Sequence, residues 1–128
     1  VNLVSLFWDT VGDNMDQWRG VRIGNLSATE VRRDYIHTHV IILQALGIAG
    51  KDLMSQFPNN WKTKIKNLKK INWLKNNPEW HQRVIVNGRV VKNSNSIILA
   101  ANLIKKALGA KLSVKEKALE SKMKKNVK

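Results

Sequence analysis

The stretch that most constrains the fold is residues 27–47, SATEVRRDYIHTHVIILQALG, which has the pattern of one long helix. Ser27 and Glu30 form a capping box at its start. Gly47 is expected to end it, because glycine readily adopts the left-handed conformation of a helix C-terminus. At 100° per residue the apolar side chains fall in two adjacent stripes: Val31, Tyr35, Ile42 and Leu46, then Ile36 and Leu43. We therefore expect this helix at the centre of the domain.

The polar residues of the same helix have two interpretations. Glu30, Arg33, Asp34 and His37 are spaced for a surface network of i, i+3 and i, i+4 pairs, which we favour. Asp34 and His37 also have the spacing of the carboxylate–histidine pairs of di-iron bundles, but the sequence offers no second such pair. We expect neither a metal site nor a cofactor.

Two arginines of this helix, Arg32 and Arg33, are secondary candidates for contact with a phosphate or a partner. If Asp34, His37 and Arg33 instead formed an active site, their strip of the helix would have to line an open pocket.

Further elements follow from apolar periodicity and breaker residues. Helices are predicted at residues 2–11, 51–57, 61–70 and 97–108, the last ended by Gly109 and packed on the central helix. Residues 84–91, VIVNGRVV, predict a β-hairpin around Asn87 and Gly88. Ser113 and Glu116 form a capping box before a lysine-rich tail, which is helical only if other parts of the protein support it.

These elements predict a mainly α fold, a single helical domain of about five or six helices with one small β-hairpin. The domain is expected to span residues 1–109, followed by a basic C-terminal helix or tail at residues 110–128. Because the chain opens inside an amphipathic segment, we expect it to be a fragment of a longer protein.

Composition excludes several classes of function. The chain has 128 residues and no Cys, so disulfides, thiolate nucleophiles and Cys-based zinc sites are excluded. No apolar run approaches the ~18–20 residues of a membrane span and no signal peptide is visible, so we expect a cytoplasmic protein. The sequence contains no Gly-rich phosphate loop and no nucleophile elbow, so an enzyme is not expected.

Charge is distributed unevenly along the chain. Residues 1–50 hold four Arg against five acids, whereas residues 51–128 hold nineteen Lys or Arg against four acids. A basic second part of this kind favours a polyanionic partner, and nucleic acid is the first candidate, although a merely solvated lysine-rich surface is the alternative. The candidate phosphate-binding residues are Lys62, Lys66, Lys69, Lys70, Arg83, Arg89, Lys92, Lys105 and Lys106.

The order of several motifs resembles a known family. SATEVRRDYIHTH with its following LQALG, then KNLKKINW, EWHQR, NGRVVKNS and NLIKKALG resemble the C-terminal part of the DNA sulfur modification protein DndB. The resemblance spans residues 6 to 112, with Asn72, Val91 and Asn93 departing from the family's pattern.

The resemblance implies a DNA-associated transcriptional repressor of the genes that place sulfur in the DNA backbone. It implies double-stranded DNA as the partner, and it leaves open other proteins of the modification system and a homo-oligomer. The alternative is a helical interaction or oligomerisation module of the same system, whose basic face meets an acidic protein surface.

Overall fold

The computed structural model describes residues 3–15, 24, 34–37 and 39–126. This part of the chain forms five α-helices, which are α1 (Leu3–Asp13), α2 (Val40–Gln56), α3 (Trp61–Ile65), α4 (Ser94–Leu108) and α5 (Val114–Asn126). Two 3-10 helices cover Lys66–Lys70 and Pro78–Trp80, and one hairpin pairs β1 (Ile85–Val86) with β2 (Arg89–Val90). The mainly α fold with one small hairpin is confirmed.

The central helix begins later than the sequence predicted. Tyr35 forms an isolated antiparallel bridge with Leu74, and the Ile36 N–H donates to the Trp73 carbonyl at 2.8 Å. This extended pairing satisfies backbone groups and buries Ile36 completely, so a long-range contact overrides the helical pattern. A single helix over residues 27–47 is therefore wrong, because Tyr35 and Ile36 are in extended pairing. Glu30 and Arg33 of the predicted polar network lie outside the described residues. The predicted capping box at residues 27 and 30 lies outside the described residues.

The same helix also ends later than predicted. α2 runs through Gly47 to Gln56, so the expected stop at Gly47 is wrong and residues 51–57 continue the helix instead of forming a separate one. The buried side chains of Ala49 and Leu53 lie beyond the glycine on the core side of α2. Their burial outweighs the cost of about 1 kcal/mol that an interior glycine imposes on a helix.

The core forms where α2 packs against α4, as predicted. It is completed from α1 by Phe7 and Val11 and from the connection after α1 by Met15. Gly50 of α2 lies directly under the Phe7 ring, since a Cβ built at Gly50 would be 2.2 Å from Phe7 Cζ. Glycine at this position lets α1 approach α2 closely.

Turn and cap chemistry agrees with the sequence at three points. The hairpin turn has positive φ at Asn87 (53°) and Gly88 (76°), as a tight two-residue turn requires. The Asn93 side chain accepts from the Ser96 N–H at 2.8 Å to cap α4, and Gly109 ends α4 with φ of 83°. Local sequence therefore determines where the hairpin turns and where α4 begins and ends.

Ion pairs to the core hold α5 in place. Its capping box forms as predicted, with the Glu116 N–H donating to Ser113 Oγ at 3.2 Å and the Ser113 N–H donating to Glu116 Oε1 at 2.7 Å. Further along the helix, Glu120 reaches Arg83, while Glu116 reaches Lys105. These pairs supply the support that a lysine-rich helix with few large apolar residues needs.

Candidate nucleic-acid interface

The segment from α3 through the 3-10 helix Lys66–Lys70 is anchored by one apolar face. Trp61, Ile65 and Leu68 form this face and are buried. The Trp73 indole N–H donates to the Leu68 carbonyl at 3.2 Å, and this buried hydrogen bond holds the end of the segment on the core. The opposite face is therefore held in a defined position relative to the core.

Four lysines project from that opposite face, and we call them the lysine row: Lys62, Lys66, Lys69 and Lys70. All four are exposed. Within the described part of the chain, none has a carboxylate within 4.0 Å. The row therefore presents positive charge that no acidic neighbour neutralises, as a phosphate-binding surface requires.

A fifth lysine of the segment, Lys64, turns towards the core. Its ammonium lies over the Phe57 ring, 4.0 Å from the centroid, and 3.4 Å from the place a Cβ would occupy on Gly109. Gly109 follows the last residue of α4, where the helix dipole favours a cation. Lys64 therefore joins α3 to the end of α4 and is not part of the row.

One end of the row opens into a cleft of about 540 Å³, which we call the lysine cleft. Lys70 lines it from the 3-10 helix, Lys106 from α4 and Lys124 from α5. Three separate elements thus bring cationic side chains to one concave surface, and Lys70 and Lys106 were both predicted as phosphate-binding residues. Sequence reasoning missed Lys124, because only the folded position of α5 places it here.

Two predicted phosphate-binding residues are buried, which corrects the expectation that they face solvent. Arg83 is 7% exposed, and its guanidinium donates to both Glu120 oxygens, at 2.5 and 2.8 Å. It also donates to the Leu99 carbonyl at 2.9 Å. A bidentate pair of this kind fixes Arg83 as the attachment of α5 and removes it from the DNA-contacting surface.

Lys105 is fully buried, and its ammonium pairs with Asp52 of α2 and Glu116 of α5. Burial alone lowers the pKa of Lys105, but hydrogen bonds and attraction from the two carboxylates outweigh it, so the pKa is raised. Lys105 therefore stays charged and joins three helices. Lys105 was predicted to bind phosphate together with Lys106, but α5 covers Lys105 and leaves Lys106 exposed.

The hairpin residues Arg89 and Lys92 are exposed, as predicted. Arg89 is opposite Val86 on the hairpin, and neither cation lines the lysine cleft. The structure therefore does not join them to the lysine row. The secondary candidates Arg32 and Arg33 lie outside the described residues.

The histidine of the predicted central helix is part of the core. His37 is fully buried and stacks on Trp73 with ring centroids 5.1 Å apart. Burial lowers its pKa to about 4, so the imidazole is neutral at pH 7. The open pocket beside Asp34 and Tyr35 does not include His37, so Asp34 and His37 do not share a site there.

The described residues contain no group of three His, Asp or Glu side chains placed to hold a metal ion. None of the helices formed by these residues has the length and apolar character needed to cross a bilayer.

The model of one protein family matches residues 1–111 of the chain, and the family's description is DndB: DNA-sulfur modification-associated. The match ends before α5 begins. Searches of curated proteins and of solved structures gave no match.

Proposed function

The chain belongs to the DndB family of DNA-sulfur modification-associated proteins, and we propose that it serves this system as a non-catalytic, DNA-binding transcriptional regulator of the repressor type. The family match confirms the resemblance seen in the sequence and supports involvement in DNA sulfur modification. The proposed partner is double-stranded DNA in the cytoplasm.

The lysine row is the observation that carries the proposal. Its cations are exposed and have no carboxylate partner within the described residues, while the segment beneath them is fixed by buried Trp61, Ile65 and Leu68. Lysines in this state neutralise backbone phosphates and release counterions, which supplies affinity that does not depend on base sequence. Lys106, exposed beside Lys70 in the lysine cleft, extends the proposed contact surface.

Sequence preference would have to come from another element, and the hairpin is the candidate. Arg89 stands beside a rigid two-residue turn, and an arginine can bond both acceptors of guanine in the major groove. We propose that Arg89 reads bases while the lysine row holds the phosphates.

A salt titration of duplex binding tests the role of the lysine row. Log affinity falls as log salt concentration rises, and each lysine–phosphate contact makes this fall steeper by about 0.9. Replacing Lys66, Lys69 and Lys70 by Glu should therefore make the fall shallower by about 2.7. The replacement should also weaken binding to operator and random duplexes to the same extent.

The matched control reverses three exposed lysines of α5, namely Lys115, Lys117 and Lys122, so that net charge changes equally in both variants. Control and test variants that lose affinity equally would show that total charge, and not the lysine row, binds DNA. A protein that forms a stable dimer by sedimentation and ignores duplex at low salt would favour the alternative role as an interaction module.

A further inference from the structure

The lysine cleft combines features that the binding of a flat duplex surface does not explain. Its volume of about 540 Å³ lies within the range of small-ligand pockets, about 300–1,000 Å³. A lysine that only contacts an outer phosphate needs no concave wall. The three lysines of the cleft come from elements far apart in sequence, so the folded structure assembles them.

The charges around the cleft leave the lysines available to a ligand. Glu79 is the carboxylate that shares the cleft wall with Lys70, Lys106 and Lys124. Across the described residues, no carboxylate lies within 4.0 Å of any of the three ammonium groups. The lysine cleft therefore retains positive charge in the folded protein.

A buried donor at the same cleft has no partner among the described residues. Arg83 lines the cleft, and although its two terminal nitrogens are bonded, its Nε–H is buried with no acceptor. Buried donors are almost always satisfied, so this one shows that the Arg83 side of the cleft is short of acceptors.

Hydrogen bonds hold Asn72 in the cleft wall, and its side chain offers a further donor. The Asn72 carbonyl accepts from the Asn77 side chain and from the Trp80 indole, both at 2.9 Å. The Asn72 side-chain oxygen accepts from the Leu74 N–H at 3.1 Å, which leaves the Asn72 NH₂ group to donate elsewhere. Because Asn72 also lines the cleft, its amide adds to the donors there.

From this arrangement we infer that the lysine cleft is a binding site for a phosphate-bearing ligand. Lys70, Lys106 and Lys124 supply the charge, and the side-chain amide of Asn72 supplies a further donor. The source of the phosphate is either a free phosphorylated small molecule or the backbone of a nucleic acid strand that enters the cleft. The site stands on the geometry of the cleft and does not rest on the proposed function.

Calorimetric titration of the full chain with pyrophosphate at low ionic strength tests the inference. The variant with Lys106→Gln and Lys124→Gln should bind pyrophosphate about tenfold or more weakly, because two charge-assisted contacts are lost. The control variant with Lys115→Gln and Lys117→Gln removes the same charge from exposed positions off the cleft, and its affinity should change less than about twofold.

A second measurement reports on the buried donor directly. In a ¹⁵N-labelled protein, pyrophosphate should shift the Arg83 Nε–H resonance in the wild type and leave it unchanged in the cleft variant. Absence of saturable pyrophosphate binding, or equal loss of affinity in the cleft and control variants, would overturn the inference.

A competition step identifies the source of the phosphate. If duplex or single-stranded DNA displaces pyrophosphate, the cleft takes a backbone phosphate. If DNA and pyrophosphate bind independently, the ligand is a free phosphorylated small molecule. Either result supports a phosphate site, and the second does so even if the lysine row proves not to bind DNA.

Discussion

Gly47 and Gly50 lie three residues apart on α2, and replacing each by alanine should change the stability of the protein in opposite directions. Gly47 has no atom within 4 Å of the place where a Cβ would lie, and its backbone is helical. At Gly50 the same methyl group would lie 2.2 Å from Phe7 Cζ and 2.3 Å from Phe7 Cε1. Gly47→Ala and Gly50→Ala therefore differ in whether the new methyl group has room.

The expected sizes follow from that difference. Alanine is favoured over glycine inside a helix by about 0.5–1 kcal/mol, and both variants gain this amount. Only Gly50→Ala forces the Phe7 ring and α1 away from α2, which costs about 1–3 kcal/mol or more because the contact is far inside the carbon–carbon optimum of about 3.5 Å. The Gly47→Ala variant should thus be more stable than the wild type, and the Gly50→Ala variant should be less stable.

Urea unfolding followed by circular dichroism measures both variants. The free energies of unfolding should differ by about 1–3 kcal/mol, equivalent to roughly 3–10 °C in Tm for a domain of this size. Phe7→Leu removes Cζ, so the double variant with Gly50→Ala should be more stable than the sum of the single effects predicts. A Gly50→Ala variant as stable as Gly47→Ala would refute the close packing of α1 on α2.

Three further outcomes are expected. Burial lowers the pKa of His37 to about 4, so the free energy of unfolding should be highest above pH 6.5 and fall by about 3 kcal/mol as the pH drops towards 4. A His37→Gln variant should show a flatter dependence of this free energy on pH in urea unfolding. Glu120→Gln leaves the Arg83 charge buried without its partner, which should cost about 3–5 kcal/mol and speed amide hydrogen exchange in α5; unchanged exchange would contradict the attachment. Asn93→Ala removes the cap on the Ser96 N–H and should lower Tm by an amount corresponding to about 1 kcal/mol, with no change in exchange at α5.

Local signals in the sequence predicted the elements whose structure depends on adjacent residues. The turn at Asn87 and Gly88, the cap at Asn93 and the capping box at Ser113 all formed as expected. In each case the deciding interaction joins residues a few positions apart or depends on the φ preference of a single residue. Such interactions are visible in a sequence without knowledge of the fold.

The predictions that were wrong concern residues whose structure depends on contacts with distant segments. Residues 35–36 pair with residues 73–74, a contact between distant segments that replaced the predicted helix. Lys105 and Arg83 looked exposed because α5, which covers them, has too few large apolar residues to reveal that it docks at all. Periodicity identifies apolar burial, but it cannot identify a helix that docks through ion pairs.

The charged attachment of α5 has a consequence for where the folded unit ends. Residue 111 is the last one matched by the family model. A protein shortened to end there would keep the cations of these ion pairs but lose two of the carboxylates that pair with them. Arg83 would lose Glu120, and Lys105 would keep Asp52 but lose Glu116. Trimming to the matched region would thus remove the counter-ions on α5 and uncover Arg83 and Lys105 at the same time. In this chain the ion pairs that join α5 to the core extend beyond the stretch that identifies its family.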